Sequence, residues 1–133
     1  MKTKIILCVL FFMVFLPVCK EESPTDPVIP VTLQIEGVVT DSASGQPIEN
    51  ATVYLNEDRL SGWVTLTSVD TDSKGYYFIS YKHWKDCGSI WHFVIEVKAG
   101  GYLRELKYGG LDDDGPQCTN ELQTVNIQLE RDR

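Results

Sequence analysis

Trp91-His92-Phe93-Val94-Ile95-Glu96-Val97 decides the fold class. Its large apolar residues at 91, 93, 95 and 97 recur every second position. Successive side chains of an extended strand point to opposite faces, so these four line one buried face, whereas a helix would need a repeat of about 3.6. The same period continues on both sides. Upstream, Leu33, Ile35 and Val39 form one alternating run, and Val53 and Leu55 a second that ends at Asn56-Glu57-Asp58. Val64, Leu66 and Ser68 form a third, and Tyr77 with Ile79 a fourth. Downstream, Gly100-Gly101 breaks the pattern, Tyr102 to Tyr108 supply a sixth run, and Val125, Ile127 and Leu129 a seventh. Turn-forming clusters separate the runs, among them Asp41 to Pro47 and Asp72 to Gly75. Short strands with one apolar face each must bury it against a second sheet. The expectation is an all-β domain over residues 31–131, a seven-stranded antiparallel Greek-key β-sandwich.

Three stretches carry a family resemblance. Gly37-Val38-Val39-Thr40-Asp41-Ser42-Ala43-Ser44-Gly45-Gln46-Pro47-Ile48-Glu49-Asn50-Ala51-Thr52-Val53-Tyr54-Leu55 resembles the opening of carboxypeptidase regulatory-like domains. Thr71-Asp72-Ser73-Lys74-Gly75-Tyr76-Tyr77-Phe78-Ile79 resembles their second hallmark, and Ile95-Glu96-Val97-Lys98-Ala99-Gly100-Gly101-Tyr102 looks like the third. The resemblance implies a transthyretin-like seven-stranded sandwich and no catalytic residues. The residue types agree with a structural role. Gly45 and Gly75 sit where a tight turn needs positive φ, and Asp41 and Asp72 can accept hydrogen bonds from backbone two residues on. Two loops, 82–90 and 109–121, depart from the short family pattern and hold Cys87 and Cys118.

The N-terminus has the layout of a targeting signal. Lys2 and Lys4 precede an apolar run from Ile5 to Leu16, too short to span a bilayer and of signal-peptide length. Leu16-Pro17-Val18-Cys19 resembles a bacterial lipobox, which would make residues 1–18 the signal peptide and Cys19 the lipidated first residue of the mature chain. Cleavage to a soluble secreted or periplasmic protein, or retention as a signal anchor, are the alternatives. Residues 19–30 are charged, proline-rich and without periodicity, which suits a flexible tether. The expected location is the cell envelope, facing the periplasm or the cell surface.

With Cys8 and Cys19 confined to the leader and its junction, Cys87 and Cys118 are the pair left to the folded part. In an oxidising compartment such a pair is expected as one disulfide, two free buried thiols being the alternative. Loss of Lys2 and Lys4 with the leader takes the formal charge from −7 to −9. So acidic a chain repels phosphate backbones, which excludes nucleic acid as a partner and leaves membrane attachment to acylation.

Candidate chemistry is sparse. Asp112, Asp113 and Asp114 form an acidic loop that is a candidate cation site, whereas Asp70 and Asp72 read as turn residues, because the closing glutamate of a calcium loop is missing. His83 and His92 lack metal-ligand spacing, and His92 falls on the solvent side of its strand. No nucleophile motif and no cofactor motif is visible, so no enzymatic activity is expected. Trp84, Tyr81, Trp63 and Tyr108 are the candidate aromatic platform for a glycan or peptide partner. The function expected is therefore a non-catalytic accessory or structural envelope module, with ligand binding through the 82–90 and 109–121 loops as the alternative.

Overall fold

The computed structural model describes residues 30–83, 92–109 and 115–133. Its strands are β1 (Val31–Asp41), β2 (Thr52–Arg59), β3 (Gly62–Asp70), β4 (Tyr76–His83), β5 (His92–Lys98), β6 (Glu105–Tyr108), β7 (Leu122–Thr124) and β8 (Ile127–Leu129). They form two four-stranded sheets. In sheet one β1 lies between β4 on one side and β7 and β8 on the other, and sheet two runs β3-β2-β5-β6. The chain passes back and forth between the sheets, so β1 and β4 become neighbours although β2 and β3 intervene in sequence. The domain is an all-β Greek-key sandwich.

The alternation seen in sequence fills the space between the sheets. Leu33, Ile35 and Val39 of β1 meet Val53 and Leu55 of β2, Tyr77 and Ile79 of β4, Phe93, Ile95 and Val97 of β5, and Val125, Ile127 and Leu129 near the C-terminus. Each fully buried Leu or Ile contributes roughly 1.5 to 3 kcal/mol relative to exposure. Trp91, expected on this face, lies outside the described residues.

Five expectations need correction. First, eight strands replace seven, because the last run divides into β7 and β8. Between them Val125 turns its carbonyl inward to accept the buried Tyr77 hydroxyl at 2.6 Å, and the Val38 amide donates instead to the Asn126 side chain at 3.0 Å. Gly37, opposite Tyr77 in the β1–β4 ladder, makes this possible, since a Cβ there would stand 2.0 Å from the Val125 oxygen. Second, the sandwich is not wholly antiparallel: β7 and β8 both pair parallel to β1. Third, β2 runs through Asn56, Glu57 and Asp58 to Arg59 and does not end there. The polar side chains at 56 and 57 find partners, which removes the penalty of burying them. Fourth, β3 does not keep one face. Leu55 is opposite Thr67 but Asn56 is opposite Thr65, leaving Leu66 as the extra residue of a β-bulge. Leu66 and Val69 pack on the core while Val64 is exposed. The sixth strand is also shorter than expected, starting at Glu105 because Tyr102 and Leu103 pair with the C-terminal segment.

The three stretches that carry the family resemblance meet in one junction. Gly75, at φ 71°, packs its Cα where a Cβ would lie 2.4 Å from the Val39 carbonyl. The Val39 amide donates to the Gly75 carbonyl at 2.8 Å, and the Ile48 amide donates to the Val39 carbonyl at 3.0 Å. Buried Thr71 ties the next turn: its hydroxyl donates to the Ile48 carbonyl at 2.6 Å and accepts from the Ala51 amide at 2.9 Å. Asp41 accepts from the Ala43 and Ser44 amides at 3.0 and 2.8 Å, from the Tyr102 hydroxyl at 3.0 Å and from Arg131 Nε at 2.7 Å. The Arg131 guanidinium first, and the Ser44 amide next, hold the Asp41 carboxyl well below the usual carboxylate range. Asp72 accepts from the Lys74 and Tyr76 amides at 2.8 and 2.9 Å. Every one of these polar residues is occupied in joining turns to strands.

Candidate functional site

The outer face of sheet two gathers side chains of a different kind. With Val53 and Leu55 facing the core, strand alternation points Tyr54 and Asn56 of β2 outward, next to their partners Glu96 and Val94 on β5. Outward groups on a solvent-facing sheet are usually wet, yet Asn56 is only 1% exposed and Glu96 only 6%. Longer side chains lie on the same face. Trp63 on β3 reaches over to Tyr108 on β6, the rings meeting edge-on with centroids 5.9 Å apart and planes at 67°. Such a pair contributes roughly 0.5 to 1.5 kcal/mol beyond its buried area.

A hydrogen-bonded chain runs along the same face. The Thr65 hydroxyl donates to Asn56 Oδ1 at 2.8 Å, and Asn56 Nδ2 donates to Glu96 Oε2 at 3.2 Å. Glu96 Oε1 meets Lys98 Nζ at 2.9 Å and Arg104 Nη1 at 3.4 Å. Burial pushes the Glu96 carboxyl up, but the Lys98 ammonium and the Asn56 amide outweigh that effect and hold it below the usual carboxylate range. Both cations also lie over aromatic faces, Lys98 Nζ 4.9 Å from the Tyr54 centroid and the Arg104 guanidinium 6.0 Å from that of Trp63. The result is a fixed surface of aromatic rings edged by two cations.

Of the four platform candidates, Trp63 and Tyr108 come together here, while Tyr81 does not. Tyr81 is opposite Leu33 and packs on the core between the sheets, near buried His83, which stands edge-on to Phe93 at 5.4 Å. Buried Glu57 and its ion-pair partner Arg59 lie on the neighbouring stretch of β2. Trp84, Asp112, Asp113, Asp114, Cys87 and Cys19 lie outside the described residues, as does the side chain of His92. Cys118 is half-buried against the core. Asp70 accepts the Thr52 hydroxyl at 2.8 Å. Among the described residues no three His, Cys, Asp or Glu side chains are placed to share a metal ion. A shallow groove between the β6 and β8 edges, lined by Glu105, Lys107, Gln128 and Glu130 among others, has no aromatic wall.

Asn56, Glu96, Lys98 and Arg104 were not visible as a group in the sequence. Outward alternation could place Asn56, Glu96 and Lys98 on solvent-side positions, but only the β2–β5 register brings 56 beside 94 and 54 beside 96. Arg104 precedes β6 in a loop, where no periodicity reports its direction.

No family model matches the chain, and no curated protein does. Solved structures do match. The Bacillus anthracis TIE protein aligns over 76% of this chain and 18% of its own, at 16% identity and TM-score 0.53. A single-site mutant of Acinetobacter radioresistens catechol 1,2-dioxygenase aligns over 77% of this chain and 53% of its own, at 19% identity and TM-score 0.52. The 3-chlorocatechol 1,2-dioxygenase of Rhodococcus opacus aligns over 80% of this chain and 62% of its own, at 12% identity and TM-score 0.52. This chain therefore spans less than two thirds of each of them. The likeness is one of fold: the class defined is a β-sandwich module of a type that also occurs as part of larger proteins.

Proposed function

We propose that this chain is a non-catalytic accessory module of the cell envelope, of the carboxypeptidase regulatory-like kind, exported by residues 1–18 and anchored through a lipid on Cys19. One observation carries the reading. The polar residues Asp41 of the first hallmark stretch and Thr71 and Asp72 of the second are each engaged by backbone or side-chain partners that hold turns to strands, which supports a scaffold role for those two stretches. Residues 19–30 then act as the spacer between membrane and domain. Cys118 pairs with Cys87, stapling the two loops that depart from the family pattern. The pairing is supported by the bonded form of the Cys118 sulfur and by the confinement of the other cysteines, Cys8 and Cys19, to the leader region. The charge of −7 supports a partner other than nucleic acid.

A second reading, a ligand-binding surface protein, is favoured by one specific observation, the meeting of Trp63 and Tyr108 on the outer face of sheet two. It is compatible with the first, since an anchored module can present that face outward.

Anchoring is tested by expressing the full chain in a bacterial host fed radiolabelled palmitate. The wild-type chain is expected to take up label, and Cys19→Ala to take up none. Equal labelling of both, or no label in either, would contradict the anchor.

A further inference from the structure

We propose that the outer face of sheet two binds acidic sugars of the uronic-acid class, the Trp63 ring stacking on the sugar and Lys98 and Arg104 engaging its carboxylate. The proposal rests on the ligand-binding reading and gives it a chemistry.

Three features point to this ligand. Trp63 is 38% exposed on the outer sheet face and makes an edge contact with Tyr108, so its ring is presented in one orientation. Sugar rings offer a face of C–H groups that packs on such a π-surface. Next, Lys98 and Arg104 share one carboxylate, Glu96, which leaves one positive charge of that trio uncompensated. Their side chains are 52% and 55% exposed, whereas that of Glu96 is only 8% exposed. The buried end of the network is thus satisfied, and the cationic ends remain open to a ligand oxygen. Last, the cations are already ordered over Tyr54 and Trp63, so less side-chain freedom is lost when an anion arrives.

Charge and ring must be met by one ligand. A uronic acid carries its carboxylate on the same ring that stacks, which fits an arginine lying about 6 Å from the indole centroid. A neutral sugar would leave the surplus positive charge of the Lys98–Arg104–Glu96 trio unanswered, and an acidic peptide offers no C–H face of that shape. The rest of the molecule is acidic, with a formal charge of −7, so attraction to an anion is local to this face and screened by salt.

The test is calorimetric titration of the full chain in detergent micelles with trigalacturonate, maltotriose and triglutamate. Trigalacturonate is expected to bind, more weakly as salt rises. Trp63→Ala and the charge-removing Arg104→Gln should each weaken it at least about tenfold. Arg104 is largely exposed, so its variant keeps the fold and the test stands if Trp63→Ala does not fold. Equal, Trp63-dependent binding of maltotriose would overturn the acidic-sugar assignment and leave the ligand-binding reading in place. Equal binding of triglutamate would overturn the glycan assignment. Silence with all three would overturn both.

Discussion

Gly37→Ala is expected to destabilise the domain by about 3 kcal/mol or more. The added methyl would stand 2.0 Å from the Val125 oxygen and 2.9 Å from Tyr77 Cε1, and neither can withdraw cheaply. The Val125 oxygen is held by the Tyr77 hydroxyl, and the Val125 amide by the Glu36 carbonyl at 2.8 Å. Burial also pushes the Tyr77 hydroxyl pKa upward, as fits a phenol that stays protonated to donate that bond. Relief of the clash must therefore break the attachment of β7 and β8 to β1 or displace the Tyr77 ring from the core. Gly100→Ala is the control, because a Cβ there meets nothing within 4 Å; it should be neutral or slightly stabilising. Urea unfolding of the two variants measures the difference, and equal midpoints would contradict this account of Gly37.

Thr71→Val is expected to cost about 2 to 4 kcal/mol although it keeps the side chain's size and branching. Thr71 is 3% exposed, and its hydroxyl serves the Ile48 carbonyl and the Ala51 amide together. A methyl in its place would leave both groups buried without that partner, and each unsatisfied group carries a penalty of about 1 to 3 kcal/mol. Thr71→Ser keeps the hydroxyl and should lose far less. The unfolding free energies of the pair report it: a valine variant as stable as the serine variant would show that the hydroxyl does not hold the turn.

Both residues illustrate what was legible in the sequence. Period-two alternation located the core because it depends only on neighbours along the chain, and Leu33, Ile35, Val53, Leu55, Ile95 and Ile127 all lie where that pattern puts them. Turn chemistry at Gly45, Gly75, Asp41 and Asp72 was readable for the same local reason. Three things were not. The parallel pairing of β7 and β8 with β1 depends on a partner far away along the chain. The division between those strands hinges on one carbonyl turning toward Tyr77. Asn56-Glu57-Asp58 looked like a turn because polar residues mark turns on average, but here Thr65, Glu96 and Arg59 supply partners inside a strand. The same misreading hid the surface now proposed to bind a ligand, since Asn56 is the hinge of its network. Tyr81 and Trp63 appeared equivalent as aromatics, and only the sheet to which each belongs separates core from platform.

The first two hallmark stretches form a scaffold and not a loop site. Native-state hydrogen exchange tests it most directly. The amides of Val39, Ala51 and Thr71, which bridge the first two hallmarks, and of Ile48, which bonds the Val39 carbonyl within the first, are expected to exchange only through global unfolding, with the same free energy as core-strand amides such as Val53 and Ile95. Exchange of Ile48, Ala51 and Thr71 through a local opening many times more frequent than that of the core strands would contradict the claim, since it would make the junction a mobile segment of the kind that binding loops require.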